Sequence, residues 1–379
     1  VTDAPTPSAT PTMLVHITTA TAWRAALRLG SLAPPSLVTP AEGTDGFVHL
    51  STPEQVPLPA NRLYAGRDDL LLLVVDPARL TDPVRWEPGV PGDPESMRFP
   101  HLYGPLPAAA VTAVVPWRPG PDGAFSEPTG LPAPDDRVAR AAGSERRLAE
   151  RRAAAVVHLD GATAVLDPRI PASYEHNSLW LDAPLAAADL RALADRVLGR
   201  FDHRRVVAEH PLPTGLGGDL DEERLMVLGP DVATPPPSTG VEAVTTEVMA
   251  RLWGPAWRRE VPGIGHDAVA DLIRREPLND AHVRVVDLAV LDADRVPIAS
   301  TQLRVDGATA EVTAVMTDPA HRGRGLATAV VLDAVRRARE AGCDVIWLHA
   351  LADDLPRGWY ERLGFEDIGV RWVASWHPR

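Results

Sequence analysis

The sequence predicts a mixed fold, part α+β and part α/β, laid out as successive globular parts along 379 residues. Three observations predict it. Residues 310–342 read as a strand, a glycine-rich turn and an amphipathic helix. Short strand-like and helix-like patterns alternate through the rest of the chain. Two proline-rich stretches, 116–136 and 233–240, interrupt that patterning and mark its joints.

In chain order, residues 1–12 are rich in Pro, Thr, Ser and Ala with no basic segment or apolar core, so they read as a frayed tail and not a signal peptide. Met13–Ile17 reads as a strand. A helix opens at Thr18–Trp23, where hydroxyls can cap it, and Gly30 ends it. Three islands follow: Asp45-Gly46-Phe47-Val48-His49-Leu50-Ser51, the strand Leu70–Val75 closed by Asp76-Pro77, and Arg98-Phe99-Pro100-His101-Leu102-Tyr103-Gly104.

Beyond the first joint, the charged, alanine-rich run Arg137–Arg152 predicts a solvated helix. Ala153–His158, Thr163–Leu166, Ser178–Leu181, Val206–Ala208 and Arg224–Leu228 read as strands, and Leu185–Leu198 as a helix. Thr214–Gly218 is glycine-rich, but no amphipathic helix follows it, so it reads as a loop. After the second joint come helices near Glu242–Leu252 and Asp267–Arg275. Strands Val283–Leu291 and Ile298–Val305 follow, with Asp306-Gly307 as a hairpin turn.

Residues 310–317 are largely β-branched and apolar, and Pro319 stops the ladder because it has no N–H to donate. From Ala327 to Ala341 apolar residues recur at spacings of three and four, which makes a one-faced helix closed by Gly342. Between them, His321-Arg322-Gly323-Arg324-Gly325-Leu326-Ala327 carries two glycines that let backbone N–H groups curl inward at a helix N-terminus. Such a cup suits a pyrophosphate, and Arg322 and Arg324 can add charge-assisted bonds to it.

Composition bounds the function. A formal net charge of −13 argues against non-specific nucleic-acid binding and mildly favours cationic or amine substrates. The single cysteine, Cys343, excludes an intrachain disulfide or a multi-cysteine zinc site and fits a reducing cytoplasm. No apolar run of about 18 residues is present to span a membrane.

The strand, the turn in which Arg322, Gly325 and Ala327 fill an Arg-x-x-Gly-x-Ala pattern, the strand Asp344–Ala350 and the run Trp359-Tyr360-Glu361-Arg362-Leu363-Gly364-Phe365 resemble the GNAT acetyltransferase superfamily over about residues 241–379. The resemblance implies acetyl-CoA, or another acyl-CoA, as cofactor. It would be held by Val315, Met316, Thr317, Arg322, Gly323, Arg324, Gly325, Leu326, Ala327 and Thr328. It also implies Tyr360 as the proton donor to the departing sulfur, and helices before the strands as walls of an acceptor pocket. Glu311 stands four residues before Val315, hence on the same strand face by a period of two, and either takes the proton of an ammonium or faces solvent. The chain departs from the family at Asp353, where an asparagine is usual; Asp353 or Asp354 can instead cap the next helix. Trp372 and Trp376 share one strand face, as core or pocket wall.

The first segment, with Trp23, Gly30 and the two histidine-bearing islands, resembles a small family known as domain of unknown function 952, which looks related in fold to ADP-ribosyltransferases. That resemblance implies a split β-sheet whose cleft holds an NAD-like ligand. His16, His49, Ser51, Glu87, His101 and Tyr103 are the cleft candidates. Each histidine alone reads more readily as a hydrogen-bonded structural residue than as a ligand group, the three together point to a ligand site no less than to structure, and no metal site is predicted. The middle third resembles a degenerate half of a GNAT fold.

The expected organisation is therefore an N-terminal domain over 13–125, a linker over 126–146, a degenerate lobe over 147–232 and a catalytic lobe over 241–379. The expected activity is N-acetyl transfer to a primary amine of a small molecule or peptide in the cytoplasm. Nucleotide transfer or ligand binding by the N-terminal domain is the alternative. The oligomeric state and the acceptor are left open.

Overall fold

The computed structural model describes residues 11–33, 46–89, 94, 97–261, 263–352 and 356–377. It divides into two compact units, Val1–Arg140 and Ala141–Arg379.

In the first unit, β1 (Leu14–Thr19) leads into α1 (Ala20–Leu29), whose first turn is capped by Thr19 and whose end is turned by Gly30 at φ 83°. There follow β2 (Ser31–Leu32), β3 (Val48–His49), α2 (Pro57–Leu63), β4 (Leu70–Val75), β5 (Val84–Pro88), β6 (Arg98–Leu102), β7 (Leu106–Pro107) and β8 (Val111–Trp117). They form small sheets ordered β1-β4-β8, β2-β7 and β3-β6-β5. Every residue of β4 is buried, as a continuous apolar run in a central strand requires. Leu71, Leu73 and Val75 pack toward Trp23 of α1, while Leu70 and Leu72 face Tyr64 and Trp117, so the strand's period of two divides the core.

The second unit is built on α3 (Arg137–Ala142), in which the division falls, and α4 (Ser144–Arg152). Next come β9 (Ala155–Leu159), β10 (Ala162–Leu166), β11 (Ser178–Leu181), α5 (Ala187–Leu198), β12 (Arg204–Ala208) and β13 (Asp219–Leu228). After β14 (Val241–Val244), α6 (Thr246–Glu260) and α7 (His266–Asp280), three long strands follow: β15 (Arg284–Leu291), β16 (Pro297–Asp306) and β17 (Thr309–Thr317). The chain closes with α8 (Leu326–Glu340), β18 (Val345–Leu351), α9 (Pro356–Arg362) and β19 (Phe365–Trp376).

These strands make one mixed sheet in the order β14-β15-β16-β17-β18-β13-β19-β12-β11-β10-β9. The two lobes read from sequence thus share a single sheet. β13, before the second proline-rich joint, lies between β18 and β19, while β19 reaches back to pair with β12. Their approach is close at Gly218, where a Cβ would stand 2.3 Å from the Ser375 carbonyl oxygen. One face of the sheet packs Leu303, Val305, Ala310, Val312, Ile346 and Leu348 against Val331, Ala334 and Val335 of α8.

Two expectations fail here. The run Arg137–Arg152 is not a solvated helix: it breaks at Gly143, and Leu148, Ala149, Arg151 and Arg152 are buried. Its guanidiniums are accommodated because carboxylates meet them, Arg151 pairing with Asp306 and Arg152 with Glu175. Residues 242–244 are strand rather than helix, since β14 adds an antiparallel edge to β15 and the helix begins only at Thr246.

Candidate active site

β17 and β18 run parallel for three residue pairs, Thr309 with Val345 to Glu311 with Trp347, and then part. β17 continues to Thr317 on its β16 side alone, so backbone groups from Val312 onward face a widening gap. The ladder with β16 slips at the same place: Ser300 opposes Met316 and Gln302 opposes Thr313, which leaves one extra residue in β17. Ala314, with φ 51°, carries the bulge in a conformation uncommon for an L-residue and typical of functional sites.

The bulge overturns the face assignment made from the period of two. Val315 packs with Ala310 and Val312 against the α8 core, while Ala314 and Met316 pack on the other side with Met249 and Trp253. Glu311 lies between Ala310 and Val312 in the regular part of the strand and so faces away from Val315.

Beyond β17, Asp318 caps a single turn of helix by accepting from the Ala320 N–H, and the chain reaches the predicted turn. Arg322, Gly323, Arg324 and Gly325 are exposed. Gly323 and Gly325 have φ 74° and 75°, and a Cβ on either would meet nothing within 4 Å. The turn is therefore open, at the N-terminus of a 15-residue helix with no acidic residue in its first turn. Arg322 Nε donates to the Thr317 carbonyl at 3.4 Å and an Arg324 terminal nitrogen to the Ala320 carbonyl at 3.3 Å, which ties both arginines beside the turn. The Thr317 hydroxyl is buried with no hydrogen-bond partner. Thr328 Oγ1 accepts from the Trp359 indole at 3.1 Å. Open space, free helix amides, two cations and an orphaned hydroxyl fit a diphosphate ester.

A cavity of about 490 Å³ reaches the β17 edge from the opposite face of the sheet. Residues 312–316 form one side, Trp253 and Trp257 of α6 another, and Tyr360 a third. The remaining wall is charged. Arg371 bonds Glu223 at 2.6 Å and also bonds Glu145. Glu175 receives Arg152 at 2.6 Å, Arg304 at 2.7 Å and Arg275 at 3.6 Å. Behind them Arg304 Nε donates to Gln302 Oε1 at 2.8 Å. The Gln302 amide donates to Glu276 at 2.9 Å and Asp287 at 2.8 Å. Ser300, Gln302 and Arg304, alternate residues of β16, thus form a buried polar face.

Burial would raise the Glu145 carboxyl, but Arg371, His349 and Arg205 outweigh it and hold it at about 2. Glu175, likewise opposed by burial, sits well below the usual range because of Arg152, Arg304 and Arg275. His349 is lowered to about 4 by burial and by Arg371, so it is neutral at pH 7. Glu311 goes the other way. Burial lifts it to about 7, helped by Glu145 and Glu175 and opposed by Arg304 at 3.5 Å. A carboxyl at about 7 beside a cavity can accept a proton near neutral pH. Tyr360 is 6% exposed, packs edge-on to Phe365 and lines the same cavity.

Glu311, Val315, Met316 and Tyr360 thus meet at one cavity, while Thr317 and residues 322–328 follow at and beyond the end of β17, outside its lining. Trp372 and Trp376 do not line it; both pack with α5 and β12 in a separate core. Asp353 and Asp354 lie outside the described residues. The sequence reading missed Glu145, Tyr174, Glu175, Arg205, Glu223, Arg304, His349 and Arg371. The alternation Ser300, Gln302, Arg304 along β16 was the available signal.

In the first unit, the three histidines do come together. His16 Nδ1 bonds the His49 carbonyl at 2.7 Å, and His49 meets His101 edge-on at 4.8 Å. Glu87 accepts from the Tyr103 hydroxyl at 2.8 Å and approaches His101 Nδ1 at 3.3 Å. Ser51 bridges to Val15. Phe47 stacks on His101 at 4.1 Å, so the rings pack on one another. Burial lowers His16 to about 4. Among the described residues no group of His, Cys, Asp and Glu is arranged to hold a metal ion.

Residues 17–114 match the family model described as Protein of unknown function (DUF952), and residues 249–365 match that of the Acetyltransferase (GNAT) family. Among solved structures, a protein from Caulobacter crescentus is similar at 31% identity, covering 30% of this chain and 94% of that one, with a TM-score of 0.26. A GCN5-related N-acetyltransferase from Kribbella flavida is similar at 17% identity over 63% of this chain and 95% of its own, TM-score 0.41. A tandem GNAT protein from the clavulanic acid biosynthesis pathway is similar at 17% identity over 61% and 87%, TM-score 0.40. No curated relative matches the chain. By the two family matches, the chain joins a segment similar to the DUF952 family, residues 17–114, to one similar to the acetyltransferase (GNAT) family, residues 249–365.

Proposed function

We propose that the second unit transfers an acyl group, acetyl foremost, from acyl-CoA to a primary amine of a small molecule or peptide. The observation that carries this reading is a conjunction. One strand, β17, joins an open turn at the N-terminus of α8, a gap where it leaves β18, and a cavity lined by its residues 311–316 and by Tyr360.

Bound acyl-CoA would supply the thioester carbonyl and the thiol leaving group. Arg322, Arg324 and the amides from Gly323 to Thr328 bind and neutralise its pyrophosphate. The unpaired backbone edge of β17 at Val315 to Thr317 orients the pantetheine arm, and its N–H groups stabilise charge developing on the carbonyl oxygen. Glu311, with a carboxyl at about 7, takes a proton from the acceptor ammonium and so frees the nitrogen lone pair. The freed nitrogen would attack the thioester carbonyl, and as the carbon–sulfur bond breaks the Tyr360 hydroxyl would give its proton to the departing sulfur and regain one from the nitrogen of the new amide. The tryptophans of α6 exclude water from one wall.

The test is free-thiol release from acetyl-CoA by the full chain across a panel of amines, amino acids, aminoglycosides and peptides. Release above the amine-free rate with at least one class is expected. Uniform absence of release would remove the proposal.

A further inference from the structure

The cavity's charges narrow the acceptor further, granted the acyl-transfer reading on which this inference rests. Its wall carries four carboxylates, Glu145, Glu175, Glu223 and Glu311, and four guanidiniums, Arg205, Arg275, Arg304 and Arg371. Despite the chain's overall charge of −13, the cavity therefore has no negative excess to welcome a bare ammonium ion.

The pairing is uneven. Arg371 is committed to Glu145 and Glu223, Arg304 to Glu175 and Gln302, and Arg275 to Glu276 at 2.7 Å with Glu175 beyond. Arg205 is the exception. It projects from β12, half-buried, and lines the cavity with no hydrogen bond or ion pair among the described residues. It is close enough to Glu145 and Glu223 to stabilise their charge, but both already bond Arg371. A guanidinium kept partly out of water without a fork-shaped partner is placed to receive one from a ligand.

We infer that the acceptor is a zwitterion, a free amino acid or a close analogue, whose amine is presented to Glu311 and whose carboxylate is received by Arg205. The strand that delivers Arg205 belongs to the part of the sheet that lacks a cofactor turn, so that half supplies acceptor recognition. The zwitterion enters without changing the cavity's charge. A methyl ester or a decarboxylated amine brings an uncompensated positive charge and leaves Arg205 without a counterion.

The experiment compares free α-amino acids with their methyl esters, for the full chain and for Arg205→Met and Arg205→Lys. Two readouts are used: thiol release from acetyl-CoA, and calorimetric binding of the same compounds in the presence of CoA. The wild type is expected to prefer the acid over its ester about 100-fold in kcat/KM and in affinity. Arg205→Met should collapse that ratio to near one, and Arg205→Lys should restore part of it. An acid-to-ester ratio near one in the wild type, or one unmoved by Arg205→Met, would overturn the inference. If no amine releases thiol, acyl transfer fails, and the binding ratio still decides whether Arg205 receives a carboxylate. A circular-dichroism melt of each variant separates loss of fold from loss of the ratio.

Discussion

Replacing Glu311 by glutamine removes an ionisable group whose cost can be worked out. A carboxyl lifted from 4.5 to about 7 keeps its proton in the folded chain at pH values where the unfolded chain has lost it. The native state then binds more protons than the unfolded state, so stability falls as pH rises from about 4.5 and levels off above about 7. Between about pH 5 and about pH 8.5 the wild type should lose about 2 to 3 kcal/mol more than Glu311→Gln, taking about 1.4 kcal/mol per pH unit of displacement. For a unit of this size that is a difference of about 5 °C or more in the pH-dependent change of Tm. Paired thermal melts at both pH values measure it, since ionisations elsewhere are common to both proteins and cancel. In parallel, wild-type kcat/KM should rise about tenfold per pH unit below about 7. Glu311→Gln should reduce it by about 100-fold or more and flatten the profile. Identical melting shifts would mean that the carboxyl is not lifted, and a wild-type profile already flat below about 7 would remove it as the base.

Tyr360→Phe should lower kcat about 100-fold while calorimetric affinity for acetyl-CoA is retained; lost affinity with unchanged turnover would contradict a proton-donor role. Arg371→Ala leaves Glu145 and Glu223 facing each other without their shared cation. A loss of about 3 to 5 kcal/mol in denaturant unfolding is expected, and a loss under about 1 kcal/mol would show the pair to be solvated. Gly218→Ala places a methyl 2.3 Å from the Ser375 carbonyl at φ 83°, so it should loosen the β13–β19 junction and lower Tm by several degrees, about 2 °C per kcal/mol or more.

Much of the second unit could be read from residue patterns because its signals are local. The strand stopped by Pro319, the turn at Gly323 and Gly325 and the one-faced helix to Gly342 each follow from neighbouring residues, and the structure places all three as read. What was not legible depends on contacts distant in sequence. The bulge at Ala314 carries no glycine to announce it, yet it reverses the face on which Val315 lies. The helix at Ser144–Arg152 has the composition of a solvated face. Its arginines are buried only because Glu175 and Asp306, far along the chain, come to meet them. The insertion of β13 between β18 and β19 is likewise a topological fact with no local signature. In the first unit the islands around His49 and His101 stood out in the sequence without a strand assignment, and the structure pairs them as short strands with His49 opposite His101. The Phe47 ring stacked on His101 was not foreseen.

The central claim is that the turn before α8 seats a diphosphate. Titrating acetyl-CoA into the full chain by calorimetry, beside Gly325→Glu, tests it most directly. That variant puts a carboxylate into the open turn and a side chain on a residue at φ 75°. Saturable heat from the wild type with affinity in the micromolar range, about 10⁻⁶ M, and no detectable heat from Gly325→Glu is the predicted result. Equal affinity in both proteins would place the cofactor elsewhere and contradict the account.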